Sequence, residues 1–324
     1  MTLSVHLVYT PEPDALERLR SDLAPSVRLS FGPGQPNPAG YDILVAGRPS
    51  REQVEASPNL RALIIPFAGL PTITRDLMNE YPHISVHNLH HNAAPTAEMA
   101  LALMLSAAKL LLPSDRDFRR HDWTPRYRPT PSLLLMGKTA LILGYGAVGQ
   151  RVGAVCQALG MKILGIRRRT AAPEANVFTP DALHDLLPRA DVLIICLPGT
   201  DETANLIGEK ELALMPPGSV LVNVGRGVVV DQTALYNALK AGHLHAAGLD
   251  VWYHYPSDNA NQTHTPPADV SFHELDNVVM SPHRAGAGGT MEIEQMRMAA
   301  LAEMLNLADE GEPLPHRIDL EAGY

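Results

Sequence analysis

The sequence predicts an α/β protein with parallel sheets, divided into two domains. Short apolar runs alternate with helical patterns along the whole chain, as strands and crossover helices do in parallel sheets. The chain has 324 residues, which is enough for two domains that each bury a core. Hydrophobic residues make up 45% and charged residues 19%, a balance typical of globular proteins.

Composition argues against several other classes of protein. The net charge of −9 does not fit a general binder of nucleic acid or anionic membrane. No run approaches about 18 apolar residues, and Met1–His6 lacks the basic region of a secretory signal, so we expect a cytoplasmic protein. Cys156 and Cys196 fall in a predicted helix and a predicted strand, and we expect two small buried side chains in a reducing compartment.

The first third of the chain reads as strands separated by helical or turn-rich sequence. The predicted strands are Val5–Tyr9, Val27–Phe31, Ile43–Ala46, Ala62–Pro66 and Ser85–Asn88. The segment Gly32–Pro38 is too rich in glycine and proline for regular structure.

A long helix is predicted at Ala94–Leu112. Pro95 suits its first turn, and Pro113 is expected to end it. The helix is apolar nearly all round, so it should be buried between layers. The irregular, basic stretch Ser114–Pro131 that follows is interpreted as the crossing between domains.

A second sheet is predicted from Lys138 onward. Its strands are Thr139–Leu143, Lys162–Ile166, Asp191–Leu197, Ser219–Val224, His245–Val251 and Asn277–Ser281. Helices are predicted at Ala147–Leu159 and Asp231–Ala241, and a closing helix at Thr290–Asp309 should return to the first domain. Residues 1–112 and 289–324 are therefore assigned to one domain and residues 113–288 to the other.

The segment Gly144-Tyr145-Gly146-Ala147-Val148-Gly149 lies between a predicted strand and a predicted helix. In such a turn, the first glycine permits the tight bend and the second lets backbone approach a pyrophosphate. The third glycine lets the helix pack closely on the strand, and the helix N-terminus presents free N–H groups to the phosphates. The segment thus predicts a dinucleotide site.

The end of the next strand departs from the usual NAD pattern. An acidic residue that binds the ribose hydroxyls is expected there, but the chain has Arg167, followed by Arg168. A guanidinium binds a 2′-phosphate with paired donors, whereas a carboxylate repels it. The sequence therefore predicts a preference for NADP(H) over NAD(H), with NAD(H) still possible. A solvated basic turn is the alternative interpretation.

Several further pieces, taken in order, resemble one family. They are Pro95–Ala100, the glycine turn, Ile194–Pro198 with Glu202 and Thr203, Val222–Asp231, Gly248–Val251 and Ser281–His283. In type and order these pieces are similar to those of the D-isomer-specific 2-hydroxyacid dehydrogenases. The resemblance implies two doubly wound parallel-sheet domains, a Rossmann cofactor domain inserted in a flavodoxin-like substrate domain. It also implies a homodimer joined through the cofactor domain, with helix Ala94–Leu112 and the arm Ser114–Pro131 as interface candidates.

The resemblance and the chemistry of the residues imply the same roles. A planar arginine can hold the carboxylate and the carbonyl of a 2-oxo acid, and Arg226 stands in that place. Hydride delivery to the carbonyl creates an alkoxide that needs a proton, and His283 matches the family's acid/base. Ala68 and Gly69 lie in the segment that aligns with the family's carboxylate-binding loop. Arg226 in a buried ion pair and His283 as a core histidine are the alternatives.

One member of the family's catalytic set is missing. The family places a glutamate before a proline, as partner of the histidine, whereas this chain has Tyr255 before Pro256. A neutral phenol can orient an imidazole but stabilises imidazolium less than a carboxylate does. We therefore expect a lowered pKa for His283 and weaker reduction at high pH. Tyr255 lining the pocket, or altered chemistry, is the alternative.

The sequence thus predicts an oxidoreductase that transfers hydride between nicotinamide and a small 2-oxo or 2-hydroxy acid. An NADPH-preferring 2-oxo acid reductase is favoured over formate-like or phosphite-like oxidation and over a non-catalytic dinucleotide sensor. No metal site is expected, because no histidine shows ligand spacing. The residues expected to bind cofactor are Gly144, Gly146, Ala147, Val148, Gly149, Arg167, Arg168, Leu197, Pro198, Val224, Gly225 and Asp250.

Overall fold

The computed structural model describes residues 2–129, 131–168, 176–286 and 288–323. Backbone contacts divide the chain into two compact units. The first consists of Met1–Asn92 and Ala287–Tyr324, and the second of Ala93–Gly286. Each unit contains one sheet with helices, and every strand pairing within these sheets is parallel, which confirms the predicted α/β class.

The elements follow one another in chain order. The strands are β1 (Leu3–Leu7), β2 (Val27–Phe31), β3 (Ile43–Val45), β4 (Ala62–Ile65), β5 (Ser85–Asn88), β6 (Thr139–Leu143), β7 (Lys162–Ile166), β8 (Val177–Phe178), β9 (Val192–Ile195), β10 (Ser219–Asn223), β11 (Leu244–Leu249) and β12 (Val278–Met280). The helices are α1 (Pro13–Asp22), α2 (Arg51–Glu55), α3 (Thr72–Met78), α4 (Ala93–Lys109), α5 (Leu111–Phe118), α6 (Thr124–Tyr127), α7 (Ala147–Ala158), α8 (Leu183–Leu186), α9 (Glu209–Leu214), α10 (Gln232–Lys240) and α11 (Met291–Glu310).

The sheet of the first unit has the order β2-β1-β3-β4-β5. Helices α1 and α11 cover one face, where Leu19 and Leu305 are fully buried against the sheet. Helices α2 and α3 supply Val54 and Met78 to the core on the other face. The order of the strands reverses between β1 and β3, and in such sheets ligands bind beyond the carboxyl ends of the strands at the reversal.

The sheet of the second unit has the order β12-β11-β10-β9-β6-β7-β8. Helices α4 and α7 pack on one face, and α8, α9 and α10 belong to the core on the other. The strand order reverses between β6 and β9, so the loop after β6 lies at the position where doubly wound sheets bind dinucleotides. That loop contains the glycine turn.

Helix α4 belongs to the second unit, whereas the sequence analysis placed it in the first and set the boundary after residue 112. The reason is packing, since α4 lies against β10, β11 and α7. The approach to β11 is close, because a Cβ added at Gly248 would stand 2.7 Å from the Cβ of Leu103. The closing helix α11 does return to the first unit, as predicted.

The prediction of one helix over Ala94–Leu112 is wrong. Helix α4 ends at Lys109, Leu110 adopts a left-handed conformation with φ 48°, and α5 begins at Leu111. Pro113 does not end a helix but lies in the first turn of α5, where a proline costs no hydrogen bond. The segment expected to be irregular after Ser114 is therefore partly helical, in α5 and α6.

Among the described residues, no single helix is long and apolar enough to cross a membrane. The pair α4 and α5 passes that test by length and composition only, and it is bent by 67°.

Candidate active site

The glycine turn closes against the end of β7. The backbone N–H groups of Gly144 and Tyr145 donate to the carbonyl of Ile166 at 3.0 and 2.9 Å. Gly144 has φ 88°, and a Cβ there would stand 2.8 Å from the carbonyl carbon of Cys196 on the neighbouring strand end. A Cβ at Gly149 would stand 2.3 Å from the carbonyl oxygen of Gly144, so both positions require glycine.

Gly146 differs from the other two glycines of the turn. A Cβ added to it would meet no atom of the described part of the chain within 4 Å, and the residue is exposed. It stands directly before Ala147 and Val148 in the first turn of α7, and no side chain caps that turn. The first N–H groups of a helix have no partner within the helix, and at an open helix start they can donate to a phosphate. The residues present fit a dinucleotide pyrophosphate.

Arg167 and Arg168 follow the last residue of β7. Strands β6 and β7 pair Leu143 with Ile166, so the two arginines leave the sheet beside the glycine turn. The N–H of Arg167 donates to the carbonyl of Phe178 at 3.0 Å, which holds its backbone in line with the sheet. The next residues of the predicted basic segment, 169 and 170, lie outside the described residues.

The ends of β9 and β10 meet beside this turn. A Cβ at Gly225 would stand 2.4 Å from the carbonyl oxygen of Leu197, so the segments Leu197-Pro198 and Val224-Gly225 are in close contact. Buried Asn223 shapes the second segment, because its Oδ1 accepts from the N–H of Gly225 at 3.0 Å. Its Nδ2 donates to the carbonyl of Arg226 at 2.9 Å, and these bonds fix the backbone from which the arginine projects.

Arg226 is exposed as a residue, although desolvation of its guanidinium lowers the pKa of that group. The core ends at its neighbours Gly225 and Gly227, which are both buried. Its Nη1 donates to the carbonyl of Gly225 at 2.7 Å. Among the described residues it has no carboxylate partner, so the structure does not support a structural ion pair. The remaining guanidinium donors are available to an anionic ligand.

Asp250 holds the turn that carries His283. It is fully buried, and its Oδ1 accepts from the Ser281 hydroxyl at 2.5 Å and from the Arg284 N–H at 2.8 Å. Its Oδ2 accepts from the N–H of Ala285 at 2.8 Å. His283 lies between these anchors with φ 56°, in the left-handed region. Asp250 was expected to bind cofactor. In the structure, the hydrogen bonds that its carboxylate accepts come from the turn of His283.

Tyr255 contacts His283 with its ring rather than its hydroxyl. The ring centroids are 5.4 Å apart and the planes are tilted by 55°. The Tyr255 hydroxyl instead accepts from the N–H of Trp252 at 3.1 Å. Trp252 in turn donates from Nε1 to the carbonyl of Ser281 at 2.7 Å, so Tyr255 and His283 rest on one framework. No hydrogen bond to a His283 ring nitrogen occurs among the described residues.

The charges around His283 favour its neutral form. Desolvation lowers the pKa of His283, the positive charge of Arg226 lowers it further, and Asp250 opposes both. Desolvation also raises the pKa of Tyr255, so the phenol is uncharged at neutral pH. The positive charge of Arg226 acts on both groups, since it lowers the pKa of Tyr255 as well as that of His283.

The predicted carboxylate-binding loop lies in the first unit, beyond the end of β4. Ala68 is exposed and Gly69 is partly exposed. The loop is held from β5, because buried Asn88 donates from Nδ2 to the carbonyl of Ala68 at 2.6 Å. Phe67 packs over Gly47, where an added Cβ would stand 2.5 Å from the ring.

Three residues that shape these turns were not predicted from the sequence. The Asn223 side chain bonds to the carbonyl of Arg226, and the Trp252 side chain bonds to the carbonyl of Ser281 beside His283. The Ser281 hydroxyl bonds to the carboxylate of Asp250. Each lies at or just beyond the end of an apolar strand. That position was the signal in the sequence that could have indicated a structural role.

The cysteines take no part in this arrangement. Burial raises the pKa of Cys156 to about 11 and that of Cys196 to about 12, so both are protonated thiols at neutral pH.

Comparison with known proteins identifies the family. Residues 101–285 match the model described as D-isomer specific 2-hydroxyacid dehydrogenase, NAD binding domain. The chain belongs to this family. It is 32% identical over 274 residues to the D-3-phosphoglycerate dehydrogenase of Mycobacterium leprae, which covers 84% of this chain and 49% of the relative. It is 38% identical over 234 residues to the glyoxylate reductase of Aeropyrum pernix, covering 70% of this chain and 66% of that protein.

A solved structure of a D-isomer specific 2-hydroxyacid dehydrogenase from Xanthobacter autotrophicus Py2, in complex with NADPH and MES, has the same fold. Its TM-score is 0.81 at 23% identity, with all of both chains covered. This chain spans about half the length of the phosphoglycerate dehydrogenases that it matches. The family match lies wholly within the second unit, Ala93–Gly286, which contains the glycine turn.

Proposed function

We propose that this family member is an NAD(P)-dependent 2-oxo acid reductase that prefers NADPH. One observation carries the proposal. An open glycine turn, Arg226 and the turn of His283 all lie beyond the carboxyl ends of strands in one sheet. That edge is where doubly wound sheets bind ligands, so a cofactor and an anionic substrate can meet there.

The second unit is proposed as the dinucleotide domain and the first as the substrate domain. Gly146 and the first turn of α7 would hold the pyrophosphate, because among the described residues no atom lies within 4 Å of a Cβ added at Gly146. The segments Leu197-Pro198 and Val224-Gly225 would line the cofactor at the neighbouring strand ends. When bound, the reduced nicotinamide supplies hydride to the carbonyl carbon of the substrate.

Arg226 and His283 would carry the chemistry on the protein side. The Arg226 guanidinium has donors to hold the substrate carboxylate and to polarise the adjacent carbonyl. As hydride adds to the carbonyl carbon, the C=O π electrons move to oxygen. The His283 imidazolium gives that oxygen a proton and becomes neutral imidazole, so the products are a 2-hydroxy acid and oxidised cofactor. The loop at Ala68 and Gly69 would bind the carboxylate through backbone N–H groups.

The preference for NADPH rests on Arg167. It directly follows the last residue of β7, at the position where an acidic residue would bind ribose hydroxyls. The chain leaves the sheet there, next to the glycine turn. Arg168 adds a second positive charge at the same edge. A 2′-phosphate there would gain charge-assisted hydrogen bonds.

The proposal is tested by steady-state reduction of glyoxylate, hydroxypyruvate, pyruvate and phenylpyruvate, with NADPH and then NADH. Turnover favouring NADPH is expected, with a large loss of kcat/KM in Arg226→Gln and in His283→Gln. NADPH binding without turnover on any oxo acid would overturn it. In that case, oxidation of formate or phosphite would indicate those chemistries, and no turnover at all would indicate a sensor.

We also propose a homodimer joined through the second unit. Between residues 105 and 136 of that unit, several large apolar side chains are exposed, namely Leu105, Leu111, Leu112, Phe118, Trp123, Tyr127, Leu134 and Met136. Such an accumulation is typical of an interface. Light scattering should give twice the mass of one chain, and Leu111→Glu should weaken the dimer while Ile73→Glu, at an exposed site of the first unit, should not. A cytoplasmic location stays a prediction.

A further inference from the structure

A chain of side-chain contacts connects the carboxylate-loop candidate to the C-terminal tail within the first unit. Asn88 is the centre of this chain and is only 6% exposed. Its Nδ2 donates to the Ala68 carbonyl at 2.6 Å, and its Oδ1 accepts from His90 Nε2 at 3.0 Å. The amide therefore holds the loop with one end and a histidine with the other.

His90 is stacked on His316 of the tail. The ring centroids are 4.4 Å apart and the planes differ by 11°, so the two imidazoles lie face to face. His316 has φ 56°, a left-handed conformation that turns the tail at this residue. Desolvation lowers the pKa of His90, and the charge that His316 can carry lowers it further, so the stack favours a neutral His90.

The tail is held in place by backbone pairing with β5. The N–H of Asn88 donates to the carbonyl of His316 at 3.3 Å, and the N–H of Ile318 donates to the carbonyl of Val86 at 2.8 Å. His87 adds a bond from Nδ1 to the carbonyl of Pro315 at 2.8 Å. The tail thus runs antiparallel along the edge of the sheet, and this pairing fixes where the His316 ring lies.

We propose that Asn88, His90 and His316 are positioning residues for the loop at Ala68 and Gly69. None of them needs to touch substrate. The bond from Asn88 orients the peptide after Ala68, and thereby the N–H of Gly69, while the stacked histidines keep the Asn88 amide from turning over. A metal role is not implied, because no group of metal ligands forms among the described residues. The proposal rests on the proposed function, since it assigns carboxylate binding to that loop.

Kinetics of four variants test the proposal. Asn88→Asp loses the donor to Ala68, and His316→Ala loses the stack. We expect KM for the oxo acid to rise by about tenfold and about threefold, respectively, with kcat changed less than KM. His316→Phe keeps a stacking ring and should rescue KM. Glu321→Ala, an exposed change in the same tail, is the matched control and should behave as wild type.

Hydrogen exchange of the loop amides gives a readout that does not depend on activity. Exchange at residues 67–70 should accelerate by about tenfold in Asn88→Asp and in His316→Ala, and stay unchanged in His316→Phe and Glu321→Ala. Unchanged loop exchange in Asn88→Asp and His316→Ala would overturn the positioning role, even if the wild-type enzyme reduces oxo acids. If exchange accelerates in the two variants but the wild-type protein turns over no oxo acid, the positioning of the loop is supported and the proposed function is overturned.

Discussion

The Tyr255 ring lies 5.4 Å from the His283 ring, while its hydroxyl accepts a hydrogen bond from the N–H of Trp252. The residue that replaces the family's acid therefore supports the histidine by contact and not by a charge. The charge of Asp250 favours the protonated form of His283, but desolvation and the charge of Arg226 outweigh it and lower the pKa of His283.

The first prediction concerns the pH profile of reduction. His283 is proposed to donate the proton as imidazolium. Because its pKa is lowered, the imidazolium becomes neutral imidazole at a pH below the usual 6.5, and kcat/KM should fall as pH rises through that lowered pKa. In Tyr255→Glu a carboxylate should raise the pKa of His283 and move the falling limb to higher pH. Tyr255→Phe, which keeps the ring, is the control and should leave the limb in place. An unmoved limb in Tyr255→Glu would contradict this interpretation.

The second prediction concerns the cofactor. Arg167→Asp places an acid at the end of β7 and should lower the ratio of kcat/KM for NADPH over NADH by about 100-fold, since a charge-assisted pair is exchanged for repulsion. Arg151→Asp, an exposed change on α7, is the charge-matched control. If the ratio of kcat/KM for NADPH over NADH in Arg167→Asp equals that of wild type, a residue other than Arg167 recognises the 2′-phosphate.

The third prediction concerns the turn of His283. Asp250→Asn replaces an acceptor by a donor that faces the N–H of Ala285 or Arg284, and should destabilise the protein by about 2 kcal/mol. The His283 turn should loosen, so kcat should fall at least about tenfold. Chemical denaturation and steady-state kinetics measure the two effects. Asp269→Asn, an exposed acid paired with His254, is the control, and equal losses in both variants would count against the assignment.

The fourth prediction concerns stability and pH. Burial, together with the smaller effects of Arg297 and His90, lowers the pKa of His91 from 6.5 to about 4. Between these values the unfolded chain binds the proton more readily, so the free energy of unfolding should fall as pH drops from 6.5 to about 4, by at most about 1.4 kcal/mol per pH unit. Above 6.5 this contribution is constant. His87 and His90 act in the same direction.

The variant His91→Gln tests it, since glutamine can accept from Arg297 as His91 Nε2 does but does not titrate. Urea denaturation at pH values on either side of 6.5 should show a smaller loss in His91→Gln than in wild type. His83→Gln, an exposed histidine of the same unit, should follow wild type. Identical pH dependence in His91→Gln and wild type would exclude His91 as the source.

Six of the seven described strands of the second unit were predictable, because most of their residues are buried; the two-residue edge strand β8, which is only partly buried, was not predicted. Thr139–Leu143 and Lys162–Ile166 have the predicted bounds, since a continuous apolar run ends where the chain leaves the core. The break at Leu110 was not predictable, because leucine gives no signal for a left-handed conformation. The position of α4 depends on Gly248, whose close approach to Leu103 involves residues far apart in sequence.

The same distinction between local patterns and long-range packing applies to the candidate site. Gly144, Arg226 and His283 could be proposed from the sequence, since each belongs to a short pattern. The exposure of Arg226 and the use of Asp250 as an anchor depend on how separate strand ends meet, which no local pattern encodes. Tyr255 was recognisable as a substitution, but its hydroxyl turning to Trp252 is a result of packing.

The most direct measurement follows hydride from cofactor to product. NADPH with deuterium at the transferable position of its nicotinamide is incubated with the wild-type protein and glyoxylate or hydroxypyruvate, and the hydroxy acid is analysed by mass spectrometry. A 2-hydroxy acid that carries the deuterium on its second carbon is predicted, with its yield abolished in Arg226→Gln. Binding of NADPH with no deuterium in any hydroxy acid would contradict the proposed reductase.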